Sequence, residues 1–66
     1  MKLWVARDTN NDLHLFKNKP NPEVWGSWKG WRGNKYEYLY LGRDVFPEVT
    51  FENSPKEVEL KLVKEL

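Results

Sequence analysis

Cysteine is absent from this 66-residue chain, which excludes both a disulfide framework and a thiolate zinc site as sources of stability. Histidine occurs once, at His14, so a metal site would have to be built mainly from carboxylates. Long apolar runs are also missing. Nothing approaches the roughly 18 residues of a membrane span, and Met1 to Asp8 meets charge after four apolar residues, far short of the core of a signal peptide. These features predict a soluble, unexported, cytoplasmic chain with no membrane partner. Excess charge is lacking too, since eleven Lys and Arg face ten Asp and Glu for a net charge of +1. A domain of this length buries only about 60% of the surface its unfolded chain exposes. The whole chain, residues 1–66, therefore reads as one small domain with a thin core, held by packing and backbone pairing.

What the chain does contain is aromatic. Four Trp, three Tyr and three Phe argue against disorder in a sequence that is 32% charged and 39% apolar. The charges are unevenly placed. Residues 1 to 43 carry eight Lys or Arg against four acids, and residues 44 to 66 carry three against six. That asymmetry reads most simply as two ends that pair as neighbouring strands.

Alternation dominates the pattern. Lys2 to Arg7 sets Leu3 and Val5 on one face and Trp4 and Ala6 on the other, a strand in β-branched and aromatic company. Asp8-Thr9-Asn10-Asn11-Asp12 is a run of turn formers, and Leu13 to Lys17 follows as a second strand, predicting a hairpin. Asn18 to Glu23 holds Pro20 and Pro22 and reads as a loop. The Trp-Gly stretch from Val24 to Gly33 supports neither strand nor helix firmly, and a strand is expected over 24 to 29. Over 35 to 41, Tyr36, Tyr38 and Tyr40 alternate with Leu39 and Leu41, the leucines facing the core. Gly42 to Glu48 is expected to be a turn anchored by Phe46, followed by an extended Val49-Thr50-Phe51.

The C-terminal segment carries two signals. Ser54-Pro55-Lys56-Glu57 has the form of a capping box, and Val58, Leu62 and Leu66 have helical spacing. Val58, Leu60 and Leu62 also alternate with Glu57, Glu59 and Lys61, which is the pattern of a half-buried strand over 57 to 63. The strand is preferred because Leu60 falls off the helical stripe. The resulting fold class is all-β, a small antiparallel meander or open barrel of four to five strands, with an α+β form ending in a helix as the alternative.

Four segments carry a resemblance: Leu3-Trp4-Val5-Ala6-Arg7-Asp8, Leu13-His14-Leu15-Phe16, Phe46-Pro47-Glu48-Val49-Thr50-Phe51 and Glu57-Val58-Glu59-Leu60-Lys61-Leu62. In these the chain resembles a group of short uncharacterised proteins of gut anaerobic bacteria and their phages. The likeness implies a bacterial or phage setting and carries no catalytic motif. It is weakest from Trp25 to Gly33.

The sequence offers little to catalysis. Asp8, Asn10 and Asp12 copy the first ligands of a calcium loop, but Leu13 stands where its glycine belongs and Lys19 where its glutamate belongs, so a turn is the expected reading. Ser27, Thr50 and Ser54 lie in no nucleophile elbow. Gly26, Gly30 and Gly33 do not lead a strand into a phosphate-binding helix. No enzyme activity, cofactor or metal is expected.

The densest candidate site is residues 25 to 40. Trp25, Trp28, Trp31, Tyr36, Tyr38 and Tyr40 interleave there with Lys29, Arg32 and Lys35, opposed only by Glu37. Rings stack on bases while cations neutralise phosphates, so the segment could form a face for single-stranded nucleic acid. Aromatic residues and arginine are equally enriched at protein interfaces, and some of these rings could simply complete the core. The function expected from sequence is a small non-catalytic protein-interaction or self-associating module, with single-stranded nucleic-acid binding as the alternative.

Overall fold

The computed structural model of the chain describes residues 1–34 and 37–61. These residues form an all-β fold of six strands and no helix: β1 Lys2–Arg7, β2 Leu13–Phe16, β3 Asn21–Trp25, β4 Trp28–Arg32, β5 Tyr38–Gly42 and β6 Lys56–Glu59. No helix among them is long and apolar enough to cross a membrane. Four strands make one antiparallel sheet in the order β5-β2-β1-β6, and β3 and β4 make a separate two-stranded ribbon.

The first hairpin forms as its sequence requires. β1 and β2 pair with Val5 opposite Leu15 and Ala6 opposite His14. Their connection turns on Asn11, whose φ of 76° suits a short polar side chain. The two ends of the chain also pair. β6 lies against β1 with Trp4 opposite Glu57, and Lys2 Nζ stands 3.4 Å from a Glu57 oxygen. This joins the basic and acidic halves of the sequence. Where a strand was expected over 57 to 63, the chain forms one over Lys56–Glu59 that takes in the second half of the capping box and ends before Leu60, and residues 62 to 66 lie outside the described residues.

The expectation for residues 18 to 29 needs correction. The chain makes two strands there where one was expected, and the loop over 18 to 23 gives way to β3 at Asn21. Gly26 and Ser27 form the connecting turn. Gly26 has a φ of 59° and Ser27 does not share the positive φ, the pattern of a type II′ turn, which closes two-residue hairpins because its twist matches that of the strands. Trp25 and Trp28 flank the turn as a pair, so hydrogen-bonded pairs recur at 23/30 and 21/32 and skip 22/31. Pro22 therefore sits where no ladder donor is needed.

The same alternation points the N–H groups of Lys29 and Trp31 away from β3, and the end of β1 receives them. The Lys29 N–H donates to Thr9 Oγ1 at 3.1 Å and the Trp31 N–H to Asp8 Oδ1 at 3.0 Å. Thr9 N–H returns a bond to the Lys29 carbonyl at 2.9 Å. The ribbon is thus fastened to the sheet along its β4 edge.

Beneath the ribbon lie Ala6 and Phe16, both essentially inaccessible to solvent. Gly30 permits this approach, since a methyl group there would overlap the Trp28 ring and the Asp8 carboxylate. The opposite face of the sheet carries the leucines. Val5, Leu13 and Val49 are buried together there, with Leu15, Leu41 and Val58 packed against them. Val49 supplies the apolar anchor of the 43–49 loop, whereas the expected anchor Phe46 is 54% exposed and residues 49 to 51 form no strand.

Arg7 holds that loop in place. The side chain is buried, and all five of its N–H donors meet carbonyl oxygens. Nε–H donates to Val49 at 2.6 Å, Nη1 to Asn11 at 2.6 Å and Arg43 at 3.2 Å, and Nη2 to Val45 at 2.7 Å and Phe46 at 3.1 Å. A planar fork of donors can gather a loop in this way, whereas an ammonium group could not. Phe46 pays with a left-handed φ of 50°, a conformation costing a bulky residue about 1–2 kcal/mol.

Candidate functional site

The nine residues singled out in the sequence separate into groups. Trp25, at the tip of the ribbon, is 68% exposed. Trp28 and Arg32 share its face, because all three occupy alternate positions in register. Trp31 lies on the other side and is engaged, its Nε1–H donating to the Arg7 carbonyl at 3.2 Å and its ring tilted against Phe51 at 5.9 Å between centroids. Lys29 is exposed beside it. Tyr38 and Tyr40 stand on β5 with their rings on His14, at 5.7 and 5.4 Å. Lys35 and Tyr36 lie outside the described residues.

A cleft of about 430 Å³ between ribbon and sheet brings Trp28, Trp31, Arg32 and Tyr38 together with Asp8, His14, Phe16 and Glu23. Its charges are largely mutual. Arg32 Nη1 donates to Glu23 Oε1 at 3.0 Å, and His14 Nδ1 stands 3.8 Å from Asp8 Oδ2. Burial pushes the Asp8 carboxyl above the ordinary carboxylate range, against the opposing pull of the Trp31 N–H and of His14. With Asp8 and Glu23 both lining the cleft, its electrostatics do not favour phosphate.

The calcium-like triplet is a turn. Asp8 faces the ribbon, while the Asp12 carboxylate faces outward to Arg43 Nε at 2.9 Å and Tyr40 OH at 3.2 Å. The Arg43 hydrogen bond holds the Asp12 carboxyl below its ordinary range. Among the described residues no three Asp, Glu or His side chains converge as metal ligands do.

A second surface was not singled out from the sequence. On the leucine face a groove of about 510 Å³ is floored by Leu3, Val5 and Leu15 and walled by Leu41, Phe46, Val58 and Leu60. Leu39, Phe46 and Leu60 beside or within it are 61%, 54% and 58% exposed. Its charged neighbours Glu48, Lys56, Glu57 and Glu59 form the rim. The signal was present in the alternation of Leu39 and Leu41 with tyrosine, but alternation identifies a shared face and not whether anything covers it.

Comparison of the chain with protein-family models, with curated proteins and with solved structures finds no match.

Proposed function

We propose that this chain is a small protein-binding module that receives apolar side chains of a partner polypeptide on the leucine face of its four-stranded sheet. The observation that carries this reading is the open groove of about 510 Å³ ringed by exposed Leu60 and Phe46 and bordered by charge. Contiguous exposed apolar surface with a polar border is the usual form of a protein-binding site. The reading includes a bacterial or phage cytoplasmic setting, in keeping with the likeness of four segments to short proteins of that origin.

The test is selection of displayed peptides against the purified chain, with a Leu41→Lys, Leu60→Lys double variant as counter-target. Peptides with alternating apolar residues that bind the native chain and not the variant are expected. A selection that yields no groove-dependent peptide would overturn the reading. Nucleic-acid binding through Trp25, Trp28 and Lys29 is the competing outcome. It would be recognised by quenching of tryptophan fluorescence by single-stranded oligonucleotides that weakens steeply with salt.

A further inference from the structure

We infer that the β5 edge pairs with the β5 edge of a second copy of this chain, in antiparallel register about Leu39. The inference goes beyond the protein-binding reading, because it concerns the edge of the sheet and leaves the groove on the leucine face of each copy open.

Among the described residues the sheet has two edges, β5 and β6. A two-fold axis that joins two edge strands into one sheet places opposed residues on the same face, so the register must centre on a residue. On β6 a register centred on Val58 sets Glu57 against Glu59 of the copy, twice. Like charges directly opposed destabilise a ladder, so β6 is protected from its own copy by the device common to natural edges.

β5 has no such protection. Its sequence, Tyr-Leu-Tyr-Leu-Gly, contains neither charge nor proline, and Tyr38, Leu39 and Tyr40 are 50%, 61% and 55% exposed. The backbone points the right groups outward. Lys17 N–H donates to the Glu37 carbonyl, and β2 pairs with β5 at Leu15/Leu39. Residues 37 and 39 thus turn their backbone groups toward β2, and Tyr38 and Tyr40 turn theirs to the open side.

In the register about Leu39, Tyr38 of one copy meets Tyr40 of the other at both ends, and each such pair exchanges both backbone hydrogen bonds. Leu39 faces Leu39 of the copy as the close, non-hydrogen-bonded pair. A register shifted onward along β5 would run into the irregularity opposite Leu13 and His14, so Leu39 is the centre that uses regular strand alone. The leucine faces of two sheets then join into one, and aromatic pairs form on the opposite face. So short a shared edge buries less than the roughly 1,200 Å² of a standard interface, so the association is weak and reversible.

Because the chain has no cysteine, Leu39→Cys introduces a single thiol at the centre of this register. Opposed residues of a non-hydrogen-bonded pair lie about 4.5 Å apart between Cα atoms, within the range that a disulfide spans. Under mild oxidation Leu39→Cys is expected to form a disulfide-linked dimer roughly tenfold faster than Phe46→Cys, a position of similar exposure, because only the former is held at high effective concentration. Sedimentation of the native chain is expected to reveal a concentration-dependent dimer that Leu39→Lys removes while circular dichroism stays unchanged. Equal cross-linking rates, or a native chain that stays monomeric at millimolar concentration, would overturn the inference. A dimer that survives Leu39→Lys and dissociates in Phe46→Lys would overturn it in favour of groove-to-groove contact. Groove-dependent peptide binding by a monomeric chain would leave the protein-binding reading standing, which separates the two failures.

Discussion

Replacing Arg7 should cost this domain much of its stability, because its guanidinium holds the loop that brings Phe46 to the wall of the leucine-face groove. The guanidinium serves five carbonyl groups. The bond to Val49 is buried, and losing the donor to a buried acceptor costs about 1–3 kcal/mol. The other four bonds are partly exposed, and their acceptors can recover water, so each contributes at the low end of the usual range, about 0.5 kcal/mol. Arg7→Met keeps the packing of the stem and isolates these losses, with an expected destabilisation of about 3–5 kcal/mol. Stability of about 0.05–0.15 kcal/mol per residue gives a chain of this size only several kcal/mol in total. The variant should therefore lie near its unfolding midpoint at room temperature. Arg7→Lys retains charge but only three donors on a single nitrogen, so it should fall between native and Arg7→Met. Urea unfolding followed by tryptophan fluorescence measures both. A loss below about 1 kcal/mol for Arg7→Met, the size of an ordinary substitution, would refute the view that this side chain organises the 43–49 loop.

Other consequences follow from the fastening of the ribbon. Gly30→Val places side-chain atoms where the Trp28 ring and the Asp8 carboxylate now lie, with an expected cost of about 1–3 kcal/mol and a red shift of tryptophan emission as Trp28 is displaced. An unchanged spectrum and midpoint would contradict the packing described for the ribbon. Asp8→Asn tests the buried carboxylate through pH. Because burial raises the native pKa of Asp8 above its unfolded value, the native state binds its proton first, and this group makes stability rise as pH falls from neutrality toward the ordinary carboxylate range. Asp12, with its pKa lowered by Arg43, acts in the opposite sense and only as pH falls further, below that range. Urea midpoints at about pH 7 and about pH 4.5 should show the native protein gaining stability relative to Asp8→Asn as pH falls. A relative loss would mean that the sign assigned to Asp8 is wrong.

The first hairpin was legible in the sequence because Leu3, Val5, Leu13 and Leu15 alternate on either side of five turn-forming residues. The pairing of β1 with β6 was legible through complementary charge. The ribbon was not, because Trp25, Trp28 and Trp31 recur every three residues and the glycines suggested interruption. Only the turn geometry at Gly26 converts that spacing into two strands with Trp25 opposite Trp28. Pro22 argued for a loop, and its tolerance depends on which ladder positions are hydrogen-bonded, a matter settled by the two-residue turn that follows β3 directly. Arg7 looked like the polar end of a strand. Its role arises from five carbonyls, four of them contributed by residues some forty positions away, which no local pattern can reveal. At the candidate site, sequence grouped residues by proximity along the chain, whereas the fold leaves Trp31 half-buried against Arg7 and Phe51 and sends Trp25 to solvent. The leucine groove was visible as alternation but assigned wholly to the core, since sequence counts faces without counting what covers them.

Amide hydrogen exchange at β5, measured residue by residue as protein concentration is raised, tests the open edge most directly. At low concentration Leu39, turned toward β2, should exchange slowly while Tyr38 and Tyr40 exchange fast. At high concentration Tyr38 and Tyr40 should become protected together, with Lys56 to Glu59 unchanged along their outer side. Protection of Tyr38 and Tyr40 that is already full in dilute protein, or that never responds to concentration, would contradict the account.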